Sequence, residues 1–184
     1  MSEKITENDL ILQRKAKLAE LRSEGNAYPN DFRRDSLSKA LHAKYGEFDN
    51  ETFEANPKHV SVAGRIMLQR IMGKASFITI QDMHGQIQAY LRSNDLPEGQ
   101  YENFKTWDLG DIAGISGKLF KTKTGELTIH ADSVKLLTKS LRPLPEKHAG
   151  LVDTEQRYRK RYLDLLTNED SPKVFKLRSQ IIGE

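Results

Sequence analysis

Two side chains of this sequence, an aromatic ring and an amide, have the types and spacing to read a flat ligand. Phe77 and Gln88 lie eleven positions apart in KASFITIQDMHGQIQAYL, Lys74 to Leu91. The stretch alternates on either side of Met83-His84-Gly85, so it reads as two strands joined by a turn. Strand side chains point to opposite faces with a period of two. Ser76, Ile78 and Ile80 then share one face, and Ile87, Ala89 and Leu91 share one face of the returning strand. The aliphatic residues form a core, which leaves Phe77 and Gln88 on the outside with Thr79, Gln81 and Tyr90. An outward ring can stack on an unpaired base, worth ~1–3 kcal/mol and tolerant of sequence. An amide offers a donor and an acceptor together, which suits the Watson–Crick edge of uracil. Each residue also has a plainer reading. Phe77 covers a barrel rim or packs under the N-terminal helices, and Gln88 is merely solvated.

The charged candidates are arranged around that pair. Glu126 opens the last strand on the outer face; an RNA backbone would repel it, so a binding role means accepting bonds from a base edge. Otherwise it is an exposed hairpin residue. Arg65 falls on the outer face of the first strand and Arg70 just past its end, where either could hold a phosphate, stack on a base or be a surface charge. Lys118, Lys121 and Lys123 form a basic hairpin able to steer a phosphodiester chain. Arg14 and Lys17 belong to an N-terminal helix that is either a basic RNA-touching arm or a solvated helix packed weakly on the domain.

Catalytic patterns are absent from the sequence. The chain has no cysteine, which excludes disulfides and thiolate zinc sites. His42, His59, His84, His130 and His148 show no metal-ligand spacing. No glycine run opens a helix as a phosphate cradle, and no serine sits in a nucleophile elbow. Asp108 and Asp111 flank a turn and read as its caps rather than as an acid–base pair.

The elements that must position Phe77 and Gln88 follow from the same periodicity. Val60, Val62, Ile66 and Leu68 alternate through a first strand, with Gly64 inward where a small barrel bends sharply. The central hairpin gives strands two and three. A loop with Pro97 and Gly99 leads to a short helix from Tyr101 to Thr106, then to a fourth strand from about Asp111 to Lys121. A tight turn, Thr122 to Gly125, starts the fifth, where Leu127, Ile129 and Ala131 alternate with Glu126, Thr128 and His130. Three strands, a helix and two strands is the order of the five-stranded Greek-key barrel called the OB-fold, with an SH3-like barrel as the alternative. The fold class is therefore mainly β, with an N-terminal helical extension and further helices C-terminal to the barrel.

Outside the barrel, a helix runs from Asn8 to Ser23, with Leu10, Ile11, Leu18 and Leu21 as its stripe and Arg14 inside that stripe. Asp35 or Ser36 caps a second helix containing Leu37, Leu41, Lys44 and Tyr45. Phe48 to Lys58 reads as polar linker. After the barrel, LRPLPEKHAGL is an extended connector. Asp153 with Gln156 is a capping-box pattern for a helix through Leu166, and Pro172 starts another. The sequence stops at Glu184 with neither cap nor tail, as a piece of a longer protein would.

Composition sets only loose bounds. The 184 residues carry a net charge of +3. Basic and acidic residues number ten and eleven in 1–60, ten and eight in 61–140, and nine and seven in 141–184, so no concentrated basic footprint argues for nucleic acid. The charged N-terminus lacks a signal peptide, and no stretch reaches the ~20 apolar residues that span a bilayer, so a cytoplasmic location is expected.

MGKASFITIQD, WDLGDI, GKLFKTKTGELTIH, YPNDFRRD and above all LRPLPEKHAGLVDTEQRYRKRYLDLL resemble the N-terminal region of the bacterial lysyl-tRNA synthetases, class II enzymes. The resemblance runs from about Leu18 to Glu184. Phe77 with Gln88 is shared with the aspartyl and asparaginyl enzymes; the proline connector and RYRKRYLDLL favour lysine. The resemblance implies an anticodon-binding domain for lysine tRNA. Phe77 would stack on the central anticodon base, Gln88 would hydrogen-bond it, and Glu126 would meet a flanking base, assisted by Arg70 and Arg65. It implies an N-terminal extension at 1–58, the barrel at 59–139, a hinge at 140–170 and the start of a catalytic domain at 171–184, whose motif 1 helix builds a homodimer. The ATP-binding motifs would lie past Glu184, since FRRD at Phe32 to Asp35 does not replace them. The parent enzyme would use ATP and Mg2+ to join lysine to tRNA; this piece would hold no cofactor and perform neither step. Two further readings are a stand-alone OB-fold that binds single strands without preference and a protein-interaction barrel.

Overall fold

The computed structural model describes residues 6–145, 151, 153–168 and 170–183. In chain order the elements are α1 (Glu7–Glu24), α2 (Ser38–Tyr45), α3 (Asn50–Ala55), β1 (His59–Met72), β2 (Ala75–Gln81), β3 (Gln86–Arg92), α4 (Gln100–Lys105), β4 (Ile112–Lys121), β5 (Leu127–Thr138), α5 (Thr154–Arg159), α6 (Arg161–Thr167) and α7 (Asp170–Gly183). They divide into two compact units, Met1–Pro143 and Leu144–Glu184.

In the first unit the strands close into a barrel in the order β1-β2-β3-β5-β4, with β3 and β5 parallel and the other pairs antiparallel. This is the OB-fold. Inward positions are filled by Val62, Ile66, Ile78, Ile80, Leu91, Ile115 and Ile129, all buried. A parallel β3–β5 pairing demands a crossover, and the segment containing α4 supplies it. The segment buries Tyr101, Phe104 and Trp107, and the Tyr101 hydroxyl lies 2.8 Å from both Ser76 Oγ and the Gly73 carbonyl. Gly64 faces inward as expected. A Cβ there would sit 2.7 Å from the Gln81 carbonyl oxygen, so no other residue lets β1 pass that close.

The alternation of β1 is interrupted. Ile66 faces Ile80 but Leu68 faces Thr79, so Met67 is an extra residue in the strand. A bulge inverts the side-chain parity beyond it. Leu68, expected in the core, therefore turns to the outer face, and Arg70, expected past the end of the strand, stands within it.

The helices of this unit differ from expectation at their ends. α1 begins one residue early because Thr6 and Asp9 form a reciprocal capping box. Asp35 and Ser36 do not cap α2: Asp35 accepts the Ser61 N–H at 2.9 Å and the Ser36 hydroxyl at 2.7 Å. The cap comes from Asp82 instead, whose carboxylate takes the Ser38 N–H at 2.6 Å and its hydroxyl at 2.8 Å. The same carboxylate closes the β2–β3 turn through the His84 and Gly85 N–H groups. Burial favours the protonated acid, but these donors outweigh it and hold Asp82 below the ordinary carboxylate value. The supposed linker from Phe48 contains α3, capped by Asp49, with Phe53 buried against Tyr45 and Phe48.

In the second unit, Asp153 caps α5 through the Glu155 N–H at 2.9 Å. The single helix expected through Leu166 breaks at Lys160, where φ is −112° and ψ 52°, and resumes as α6. Asp164 is buried between Arg157 (2.8 Å) and Arg161 (2.6 Å), and the Arg161 guanidinium also lies over the rings of Tyr158 and Phe175. Pro172 falls in the first turn of α7, where its missing N–H leaves no helical bond unmade. Residues 146–150 of the proline connector lie outside the described residues.

Candidate nucleic-acid interface

The register of the barrel converts scattered outward residues into two transverse rows. Arg70 is opposite Phe77, Phe77 opposite Tyr90, Tyr90 opposite His130 and His130 opposite Lys118. The neighbouring row runs Leu68, Thr79, Gln88, Thr128, Phe120. In the first, the Phe77 and Tyr90 rings lie 4.9 Å apart at 43°, and Tyr90 meets the His130 ring at 5.3 Å. Phe120 closes the cluster, 6.2 Å from Tyr90 and 5.9 Å from His130. Offset and tilted rings of this kind attract one another through their quadrupoles. The result is a partly exposed aromatic platform with a cation at either end.

Phe77 and Gln88 are diagonal neighbours across the β2–β3 ladder, which places their Cβ atoms within about 7–8 Å. The Gln88 amide is anchored on the far side. Thr128 Oγ1 donates to its Oε1 at 3.0 Å, and the same hydroxyl lies 3.1 Å from the Glu126 carbonyl oxygen. Glu126 sits just before β5 rather than inside it, with an exposed side chain. Its backbone is fixed by the tight turn, since the Thr122 N–H donates to the Glu126 carbonyl at 3.0 Å and the Glu126 N–H to Thr122 Oγ1 at 3.1 Å. Gly125 turns the chain at φ +81°, a conformation other residues rarely adopt. The arrangement holds a stacking surface and a hydrogen-bonding amide on one face of β2 and β3, with an exposed carboxylate in the turn just before β5.

The cations divide into two sets. Arg70, Lys118 and Lys123 are exposed and form no salt bridge among the described residues. The others also bond inside the protein. Arg65 does face outward, opposite Gln81 at the other end of the ladder, but its Nη1 donates to the Gly110 carbonyl at 2.7 Å. Lys121 donates to the Gly46 carbonyl and so ties the hairpin to the end of α2. Arg14 is buried and holds the Ser140 and Arg142 carbonyls at 3.2 and 3.1 Å. Lys17 bonds the Thr106 carbonyl and the Asp108 carboxylate. Helix α1 is thus tied to the loop before β4 and to the segment after β5 through its two basic candidates, with Arg14 and Leu18 its buried residues. Arg65 and Lys121 each keep further N–H donors beyond these bonds.

Asp108 and Asp111 do close a turn, with the Asp108 N–H donating to Asp111 Oδ2 at 2.8 Å, and they also flank buried Lys139. Burial pushes the Asp108 carboxyl towards protonation, but Lys139 and Lys17 outweigh it and hold it below its ordinary value.

Sequence reasoning placed Tyr90 on the correct face but did not use it, and it missed Phe120, His130 and Thr128 as parts of the platform. Their signal was outward parity on strands; what was missing was the β3–β5 pairing, which joins residues forty positions apart. His130 is held by Asp95, its Nε2 lying 2.8 Å from Oδ2. Among the described residues no cluster of three or more metal-ligating side chains occurs, and no helix is long and apolar enough to cross a membrane.

Residues 60–137 match the tRNA anticodon family, described as an OB-fold nucleic acid binding domain. Over 178 residues, 96% of this chain, the sequence is 58% identical to a lysine–tRNA ligase of Sodalis glossinidius, of which it covers 35%. It is 60% identical to that of Yersinia enterocolitica over 177 residues, 96% of this chain and 35% of the relative. With that of Coxiella burnetii it shares 57% over 178 residues, 97% and 36% of the two chains. The chain spans about a third of the length of these relatives.

Proposed function

We propose, for a chain whose barrel is an OB-fold nucleic-acid-binding domain homologous to part of the bacterial lysine–tRNA ligases, that it reads the anticodon of lysine tRNA. The observation that carries this reading is the diagonal pairing of Phe77 with Gln88 on the outer face. Phe77 stacks on the central anticodon base, extending the row of Tyr90 and His130, and Gln88 hydrogen-bonds the edge of that base. Glu126 meets a flanking base, where a carboxylate accepts from an amino or imino group. Arg70, Lys118 and Lys123 hold phosphates. Arg65 acts from behind, holding the Gly110 backbone.

The whole protein, in this reading, is a cytoplasmic homodimeric ligase that uses ATP and Mg2+ to activate lysine and transfer it to tRNA. This chain supplies recognition and neither reaction, so lysine-dependent pyrophosphate exchange by the purified chain would overturn that division of labour.

A single-strand binder without sequence preference is the second reading, favoured by the aromatic platform alone, because stacking tolerates any base. The two separate in one titration with anticodon hairpins carrying UUU and UCU, using the natural chain, Phe77→Ala and Gln88→Ala. Preference for UUU that Gln88→Ala abolishes supports anticodon reading. Equal binding of both hairpins by the natural chain leaves the general binder.

A further inference from the structure

We infer that Thr128 fixes which end of the Gln88 amide meets the base, and thereby selects a base carbonyl over a base amino group. The inference rests on the anticodon-reading function proposed above. Thr128 is fully buried in β5, and Gln88 is its in-register neighbour on β3. Its hydroxyl donates to Gln88 Oε1 at 3.0 Å while lying 3.1 Å from the Glu126 carbonyl oxygen, so the one hydrogen is shared between two acceptors.

A side-chain amide has an acceptor at one end and an NH2 donor at the other, and a half turn about its last torsion exchanges them. Only one of the two orientations puts oxygen against the Thr128 hydrogen. In that orientation Nε2, the donor end, points away from Thr128 and needs an acceptor. Uracil presents a carbonyl at C4, where cytosine presents an amino group. The pinned amide therefore bonds uracil and meets cytosine donor to donor. Without the hydroxyl that bond is lost, and the amide turns to suit either base. Thr128 is a positioning residue, acting through Gln88 from a site the nucleic acid does not reach.

The test is the ratio of affinities for the UUU and UCU hairpins, measured with the natural chain, Thr128→Val, Thr128→Ser and Thr128→Ala. Valine keeps the shape and removes the hydroxyl; serine keeps the hydroxyl. The ratio is expected to fall about three- to tenfold with valine, the loss of one hydrogen bond, and to survive in serine. Alanine makes the same comparison where the valine chain does not fold. An unchanged ratio in the hydroxyl-free variants overturns the inference, even where both affinities fall together, since a merely structural role moves both equally. Equal binding of the two hairpins by the natural chain overturns the anticodon reading itself, and that failure is visible before any variant is made.

Discussion

Arg70 stands directly across the β1–β2 ladder from Phe77, on the same outer face, because the extra residue Met67 inverts the side-chain parity of β1 three residues before it. Strict alternation would have pointed Arg70 inward, where an unpaired guanidinium is not tolerated. The bulge thus does two things: it bends the strand and delivers a cation beside the stacking ring.

Arg70→Ala should weaken hairpin binding for every anticodon sequence alike and lower the slope of log affinity against log salt by about 1. Titrations at four salt concentrations give that slope. A slope that stays the same would remove Arg70 from the phosphate contacts.

Tyr90 backs the Phe77 ring at 4.9 Å and joins it to His130 and Phe120. Tyr90→Ala should cost about 0.5–1.5 kcal/mol beyond the lost burial and loosen Phe77. Urea unfolding measures the first effect, and hairpin affinity the second. Tyr90→Phe keeps the ring and should behave like the natural chain in both.

Arg14 and Lys123 make opposite predictions, though both are basic residues of the chain's RNA-binding candidates. Arg14→Ala leaves the Ser140 and Arg142 carbonyls without their donor and should destabilise the fold by roughly 1–3 kcal/mol, with the salt slope of binding unchanged. Lys123→Ala should leave the melting temperature in place and reduce the salt slope. Finding the two effects exchanged would revive the basic arm.

Acid should unfold the barrel through Asp82 and Asp108. Both carboxyls are depressed: burial opposes ionisation in each, and the Ser38, His84 and Gly85 donors, or the Lys139 and Lys17 ammoniums, outweigh it. The unfolded chain takes up protons near the ordinary value of about 3.9, while the folded chain holds out. Below that value the unfolded state binds more protons, so this stability is complete above it and disappears as pH falls through the depressed folded values. Urea midpoints should be flat from pH ~7 to ~5 and drop below ~4, more gently in Asp82→Asn. An equally steep drop in that variant would show that Asp82 contributes nothing to it.

The amino-acid sequence determined what depends on near neighbours. The five strands followed from a period of two, and so did the outward placement of Phe77, Gln88 and Tyr90, because the pleat allows only two faces. α4 was visible from Pro97, Gly99 and the run after them. Only the tertiary structure decided what depends on distant partners. The bulge at Met67 is a mismatch between two strands and leaves no mark on either one alone. Asp82 caps a helix forty-four residues before it, and Thr128 reaches Gln88 across forty. The partners of Arg14 and Lys17 are invisible locally because the carbonyls and carboxylate that hold them come from 89 to 128 residues further along the chain. Local pattern fixes which way a side chain points only as far as the next bulge, and its partner there is set by closure of the sheet.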